Sequence, residues 1–147
     1  MRRAERTATV DAPPSEVYAF LSDIRNLPRW QSGVERADLT SDGAVAIGST
    51  ALVERRVLGQ EVRADLRVVA LEPERRIVLE TDAGGLHVEA SVGLAPAGDG
   101  QTQVTFGMAM EATSFFMRPA EPMVAAAAEN DIADSLQRLT SVFRRSS

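Results

Sequence analysis

The feature that most narrows the fold is a hydrophobic period that changes twice along the chain. From about residue 33 to 112 apolar residues recur at every second position, the mark of strands with one dry and one wet face. Val62, Ala64, Leu66 and Val68 alternate with Glu61, Arg63, Asp65 and Arg67. Leu86, Val88, Ala90, Val92 and Leu94 alternate with His87, Glu89, Ser91 and Gly93, and after the turn Gly98-Asp99-Gly100 the pattern resumes in Val104, Phe106, Met108 and Met110. Residues 75–82, introduced by Pro73, read as a further strand with Ile77, Leu79 and Thr81 inward.

On both sides of this block the period is helical. Val17, Phe20, Leu21 and Ile24 form one stripe, Pro14 suits a first helical turn and Glu16 its positive end. Pro28 disfavours helix at Leu27, so a second short helical turn should carry Trp30, the one tryptophan. From about Pro119 to Arg145 a long helix is expected, with Ala125, Ala128, Ile132, Leu136, Leu139 and Phe143 along its apolar stripe. A single antiparallel sheet with one apolar face needs a cover, and this is the only long amphipathic element available. The chain therefore reads as an α+β fold: a curved antiparallel sheet wrapped around a long C-terminal helix, two short helices closing one end, and one domain over residues 1–147. The first half of the last helix, MVAAAAE, presents mostly methyl groups, so a pocket of ordinary ligand size, roughly 300–1,000 Å³, is expected between Ala125 or Ala128 and the sheet.

Composition narrows the function. A net charge of −5 and a pI near 4.9 argue against nucleic acid and anionic lipid surfaces as partners. There is no cysteine and one histidine, with no spaced ligand set, so no metal and no cofactor are expected. Neither an apolar leader nor a membrane-spanning stretch is visible, which suits a soluble cytoplasmic protein without stable membrane insertion. No GxSxG, P-loop or dinucleotide fingerprint occurs, and His87, on the polar face, makes no triad.

Two charged residues stand out. If Gly59-Gln60 is a two-residue hairpin loop, Val57 pairs with Val62 and Arg55 with Ala64, which places Arg55 on the apolar face beside Ala51 and Val53. A buried guanidinium keeps its charge and needs a carboxylate, a carbonyl or a ligand anion. A register slip or bulge would return it to solvent. Glu129 lies at the edge of the helix stripe, where a desolvated carboxyl could work as acid or base and could pair with Arg55, or could be a rim charge reaching water. Arg55 and Glu129 are thus the candidate catalytic groups.

The stretches APPSEVYAFLSDIRNLPRW (12–30), VVALEPERRIVLE (68–80) and GDGQTQVTF (98–106) resemble the START-like helix-grip superfamily (SRPBCC), and most closely its polyketide cyclase/dehydrase branch. The resemblance spans nearly the whole chain and implies the same grip fold, but carriers, aromatases, cyclases and regulators share that fold. The leading expectation is binding of a small hydrophobic, aromatic or lipid-like molecule between sheet and last helix. Val53, Arg55, Leu66, Leu79 and Val92 would line the site from the sheet, with Phe106 and Met108 beside them. Trp30 would close the end, and Ala125, Ala128, Glu129 and Ile132 would face them from the helix. The alternatives are a cyclase or aromatase assisting aldol cyclisation or dehydration, and an interaction module using Phe115 and Phe116 on a protein or membrane without a small molecule; packing of that pair against the helix start is the plainer expectation. A homodimer is left open.

Overall fold

Seven strands make one antiparallel sheet in the computed structural model, which describes residues 2–57, 59–83 and 85–144. The order along the chain is β1 (Arg2–Val10), α1 (Pro14–Ser22), a 3-10 turn (Ile24–Asn26), α2 (Leu27–Trp30), β2 (Val34–Leu39), β3 (Thr50–Val57), β4 (Gln60–Glu72), β5 (Arg76–Ala83), β6 (Leu86–Pro96), β7 (Thr102–Ala112), a second 3-10 stretch (Phe115–Ala120) and α3 (Glu121–Val142). The sheet runs β1-β7-β6-β5-β4-β3-β2, so the first strand closes one edge beside the last. This is the expected helix-grip architecture. Among the described residues no helix is long and apolar enough to cross a membrane.

The prolines act where the chain must turn. Pro14 opens α1, Asp23 ends it and caps the next turn by accepting from the Arg25 N–H at 3.1 Å, and Pro28 sits in the first turn of α2. α1 buries Val17 and Leu21, and α2 buries Leu27 and Trp30. Along α3 the buried positions are Ala128, Ile132, Ser135, Leu136 and Leu139, and the helix lies chiefly over β1 and β7. Phe143 caps α3 and meets Phe20 edge to face, tying the helix end to α1. Arg145, taken above as the end of the helical pattern, lies outside the described residues.

The β3–β4 hairpin differs from expectation in register. Val57 pairs with Gln60 and Arg55 with Val62, two residues from the pairing expected across Gly59-Gln60. Because side chains alternate with a period of two, a slip of two leaves every face unchanged, and Ala51, Val53 and Arg55 still point to the dry side with Ala64 and Leu66.

One buried polar contact fixes the closed edge. The Thr102 hydroxyl, fully buried at the start of β7, donates to the Ala12 carbonyl at 2.7 Å, just before α1 begins. Thr102→Val keeps the shape but strands that carbonyl, and a loss of about 1–3 kcal/mol is expected. Urea unfolding of the two proteins measures it.

Candidate functional site

The inner face of the sheet is only partly covered. β4, β5 and β6 have neighbours on both sides, yet their inward residues Val62, Leu66, Thr81, Val88 and Ala90 are half-buried. Solvent reaches an interior strand's inner face only where no helix lies on it. α3 sits over β1 and β7, and Val124 and Ala125 in its first half are also half-buried, so the inner face at Leu66, Thr81 and Val88 stays partly open to solvent as a shallow groove.

Arg55 stands at the β3 side of this groove. Its position is set by a short chain of hydrogen bonds. The Ser32 N–H donates to the fully buried Ser135 hydroxyl of α3 at 2.8 Å, and the Arg56 N–H donates to the Gly33 carbonyl at 2.8 Å. Gly33 has φ +85°, and a Cβ there would lie 3.1 Å from the Arg56 carbonyl, so glycine permits this close approach. Val34 then pairs with Arg55. Asp131 precedes Ser135 by one turn of α3, which brings its carboxyl to the same side.

The electrostatics agree with this geometry. Burial pushes the Arg55 guanidinium pKa down, and the charge of Asp131 pulls it back up. Burial raises the Asp131 pKa above its ordinary value; the Arg55 charge opposes that rise and Asp134 adds to it. The two groups feel each other without touching: the Arg55 Nε is closed off from solvent and has no hydrogen-bond partner, and no direct ion pair joins it to Asp131. A buried guanidinium with an unpartnered Nε, beside a carboxyl that does not ion-pair with it, is chemically suited to hold a ligand oxyanion.

A second unpaired donor lies deeper. Trp30, 3% exposed, meets Phe106 edge to face with ring centres 5.1 Å apart, and its indole Nε1 has no acceptor. Trp30, Gln31, Leu79, Val92 and Phe106, with Leu21, Leu27, Ile77 and Ala90, surround a void of about 10 Å³, room for one water and no more. A larger depression, about 360 Å³, lies on the outside between Ser22, Asp23 and Arg25 and the loop Gly43–Val45. A closed pocket of ligand size was expected beside α3; the structure has instead a half-buried strip of the inner face and a separate void with room for one water.

Of the residues expected at the site, Trp30, Leu79, Val92 and Phe106 come together around the void, and Val53, Met108, Ala128 and Ile132 are buried in the adjoining core. Leu66 and Ala125 are half-buried at the groove. Glu129 is exposed and takes no part; the acidic group facing Arg55 is Asp131. The signal was present, because Asp131 falls three residues after Ala128 and four before Ser135, inside the buried stripe, whereas Glu129 is one position past Ala128. Phe115 and Phe116 are 79% and 88% exposed, against the plainer expectation that they pack on the helix start. Their 3-10 stretch is instead held by Met117 and Ser114, whose side chains crowd Gly85 on the β5–β6 turn.

The sequence matches the family model described as "Polyketide cyclase / dehydrase and lipid transport" over residues 1–144, and the chain belongs to that family. Solved structures share the fold at low identity. The Zhui aromatase/cyclase from Streptomyces sp. R1128 is 19% identical with a TM-score of 0.80, covering 96% of this chain and 92% of that one. A START superfamily protein from Mycobacterium smegmatis is 15% identical with a TM-score of 0.77, covering 95% and 98%. A conserved protein from Geobacillus kaustophilus is 15% identical with a TM-score of 0.74, covering 97% and 95%. The sequence has no significant match among curated proteins.

The Arg55–Asp131 pairing has a measurable signature. Arg55→Met removes a buried charge and should leave the fold as stable or more so, whereas Asp131→Asn strands the guanidinium and should destabilise. In an Arg55→Met background the second substitution should cost less, with a coupling of at least about 0.5 kcal/mol in a denaturation cycle. Additive effects would mean that the two charges do not interact.

Proposed function

We propose that this protein binds a small apolar or aromatic molecule carrying an acidic or enolic oxygen, laid in the groove between α3 and the concave face of β4–β6. The observation that carries this reading is Arg55: an obligate cation on the inner face of the sheet whose Nε has no partner and whose nearest counter-charge, Asp131, stays out of contact. Leu66, Val88 and Ala90 supply apolar wall to one side and Ala125 to the other. In this reading the protein acts in the cytoplasm as a carrier or sensor of that molecule.

The raised pKa of Asp131 favours a second reading, a cyclase or dehydratase. Arg55 would hold a developing enolate while the protonated Asp131 carboxyl delivers a proton to it, or its carboxylate form removes one from carbon. Family membership supports both readings equally, since the family description spans cyclases and lipid transport.

Naphthoate and its methyl ester are suitable probes, alike in shape and different in charge. Arg55→Met should weaken naphthoate by about tenfold or more, the loss of one charge-assisted contact, and leave the ester nearly unchanged. Equal losses would indicate disturbed packing, and no loss for either would remove Arg55 from the site. The pH dependence follows from the sign of the Asp131 shift. Its folded pKa lies above 3.8, so as pH falls toward it the carboxyl protonates before an ordinary aspartate would, leaving the Arg55 charge free for an added anion. Naphthoate affinity should therefore rise as pH falls toward the Asp131 pKa for as long as the ligand carboxylate itself stays ionised, and Asp131→Asn should remove that rise.

A further inference from the structure

The convex face of the sheet, opposite the groove, gathers the chain's one histidine with several carboxylates. The β5–β6 register sets Glu80 directly across from Glu89 and Asp82 across from His87, and Glu111 of β7 pairs with His87 on the other side. Two carboxylates directly opposed on one face repel each other. Arg67 alone answers them from β4, and it meets Oε1 of Glu80, which leaves Oε2 free. Oε2 faces His87 Nε2 at 4.0 Å, and Glu80 and His87 are both half-buried. The other imidazole nitrogen is already engaged: Nδ1 stands 2.8 Å from Asp82 Oδ1, and the neutral tautomer that donates to this carboxylate turns its Nε2 lone pair toward Glu80 and Glu89.

We infer that Glu80, His87 and Glu89 form a binding site for a divalent cation of the zinc class. One donor atom from each lies within 4.8 Å of the other two. Tetrahedral ligands of Zn²⁺ at about 2.0–2.1 Å stand roughly 3.3 Å apart, so closing the site takes only a modest side-chain adjustment. Both flanking groups act as a supporting shell. Asp82 orients the imidazole as a carboxylate orients a metal-bound histidine, and Arg67 fixes the rotamer of Glu80. One nitrogen and two carboxylate donors suit Zn²⁺ better than Mg²⁺, which prefers an all-oxygen shell, and water completes the coordination. Spacing along the chain hid this site, because Glu80 and His87 meet only through the β5–β6 pairing.

The test uses the tag-free full chain, stripped with chelator and titrated with ZnCl₂ in a calorimeter, with MgCl₂ as control. One Zn²⁺ per chain is expected, with a raised unfolding temperature and no such response to Mg²⁺. His87→Ala and Glu89→Gln should each weaken binding by at least about tenfold. The imidazole NMR signals of wild type report ligation directly, since His87 is the one histidine, and they should shift at one equivalent. Arg55→Met should bind Zn²⁺ as wild type does, so failure of the groove reading leaves this result untouched. No heat and no imidazole shift up to millimolar Zn²⁺, or undiminished binding by both variants, would overturn the proposal.

Discussion

One helix cannot cover seven strands. At about 4.8 Å between strands the sheet is roughly 29 Å wide, and a helix with its side chains is about 10–12 Å across. α3 settles over β1 and β7, burying Ile132, Leu136 and Leu139, and α1 and α2 fill in beside it with Leu21, Leu27 and Trp30. α1 and α2 reach the inner face at Ile77, Leu79, Ala90 and Val92, and the strip beyond them, left half-covered, is the groove. The half-burial of Leu66, Thr81 and Val88 is its direct trace. The groove is thus a consequence of dimension before it is an adaptation, and the alanines of α3 keep it from being closed by bulk from the helix side.

Within that strip a single guanidinium sets the chemistry. Leaving Arg55 on the dry face costs desolvation, and a protein selected for stability alone would offset it with a tight ion pair or replace it with an apolar residue. Here neither has happened. Asp131 moderates the charge without an ion pair, and the hydrogen bond from Ser32 to Ser135 together with the Gly33–Arg56 contact ties strand and helix together beside it. A direct salt bridge would satisfy the guanidinium from within the protein; without one its Nε stays unpartnered.

How far the sequence could be read depended on which symmetry each inference used. The strand faces were readable because alternation is a parity. The expected β3–β4 register is off by two, which is invisible to parity, so Arg55 falls on the correct face through an incorrect pairing. A helix is less forgiving. Glu129 and Asp131 differ by about 200° around the axis, and choosing between them needed the buried positions on both sides of Asp131, including Ser135, whose burial its polar character conceals. The size of the void was not readable at all, since small side chains show where room could be and only the packing of Trp30 against Phe106 shows how much remains.

The two faces of the sheet carry their polar groups by opposite logic. On the concave side Arg55 stands beside apolar Val53 and Ala64 with its Nε unsatisfied, unlike Arg2 on β1, which pairs with Glu121 of α3. On the convex side carboxylates crowd one imidazole, and the excess is of negative charge. β5 and β6 contribute to both: Leu79 and Ala90 face inward from the residues next to Glu80 and Glu89. A ligand that spreads or tightens these strands from within would alter the spacing of the outer carboxylates by the same backbone movement, and a cation holding them would resist it. Coupling between the two faces would run through this hairpin, because it places groups from both sites on consecutive residues.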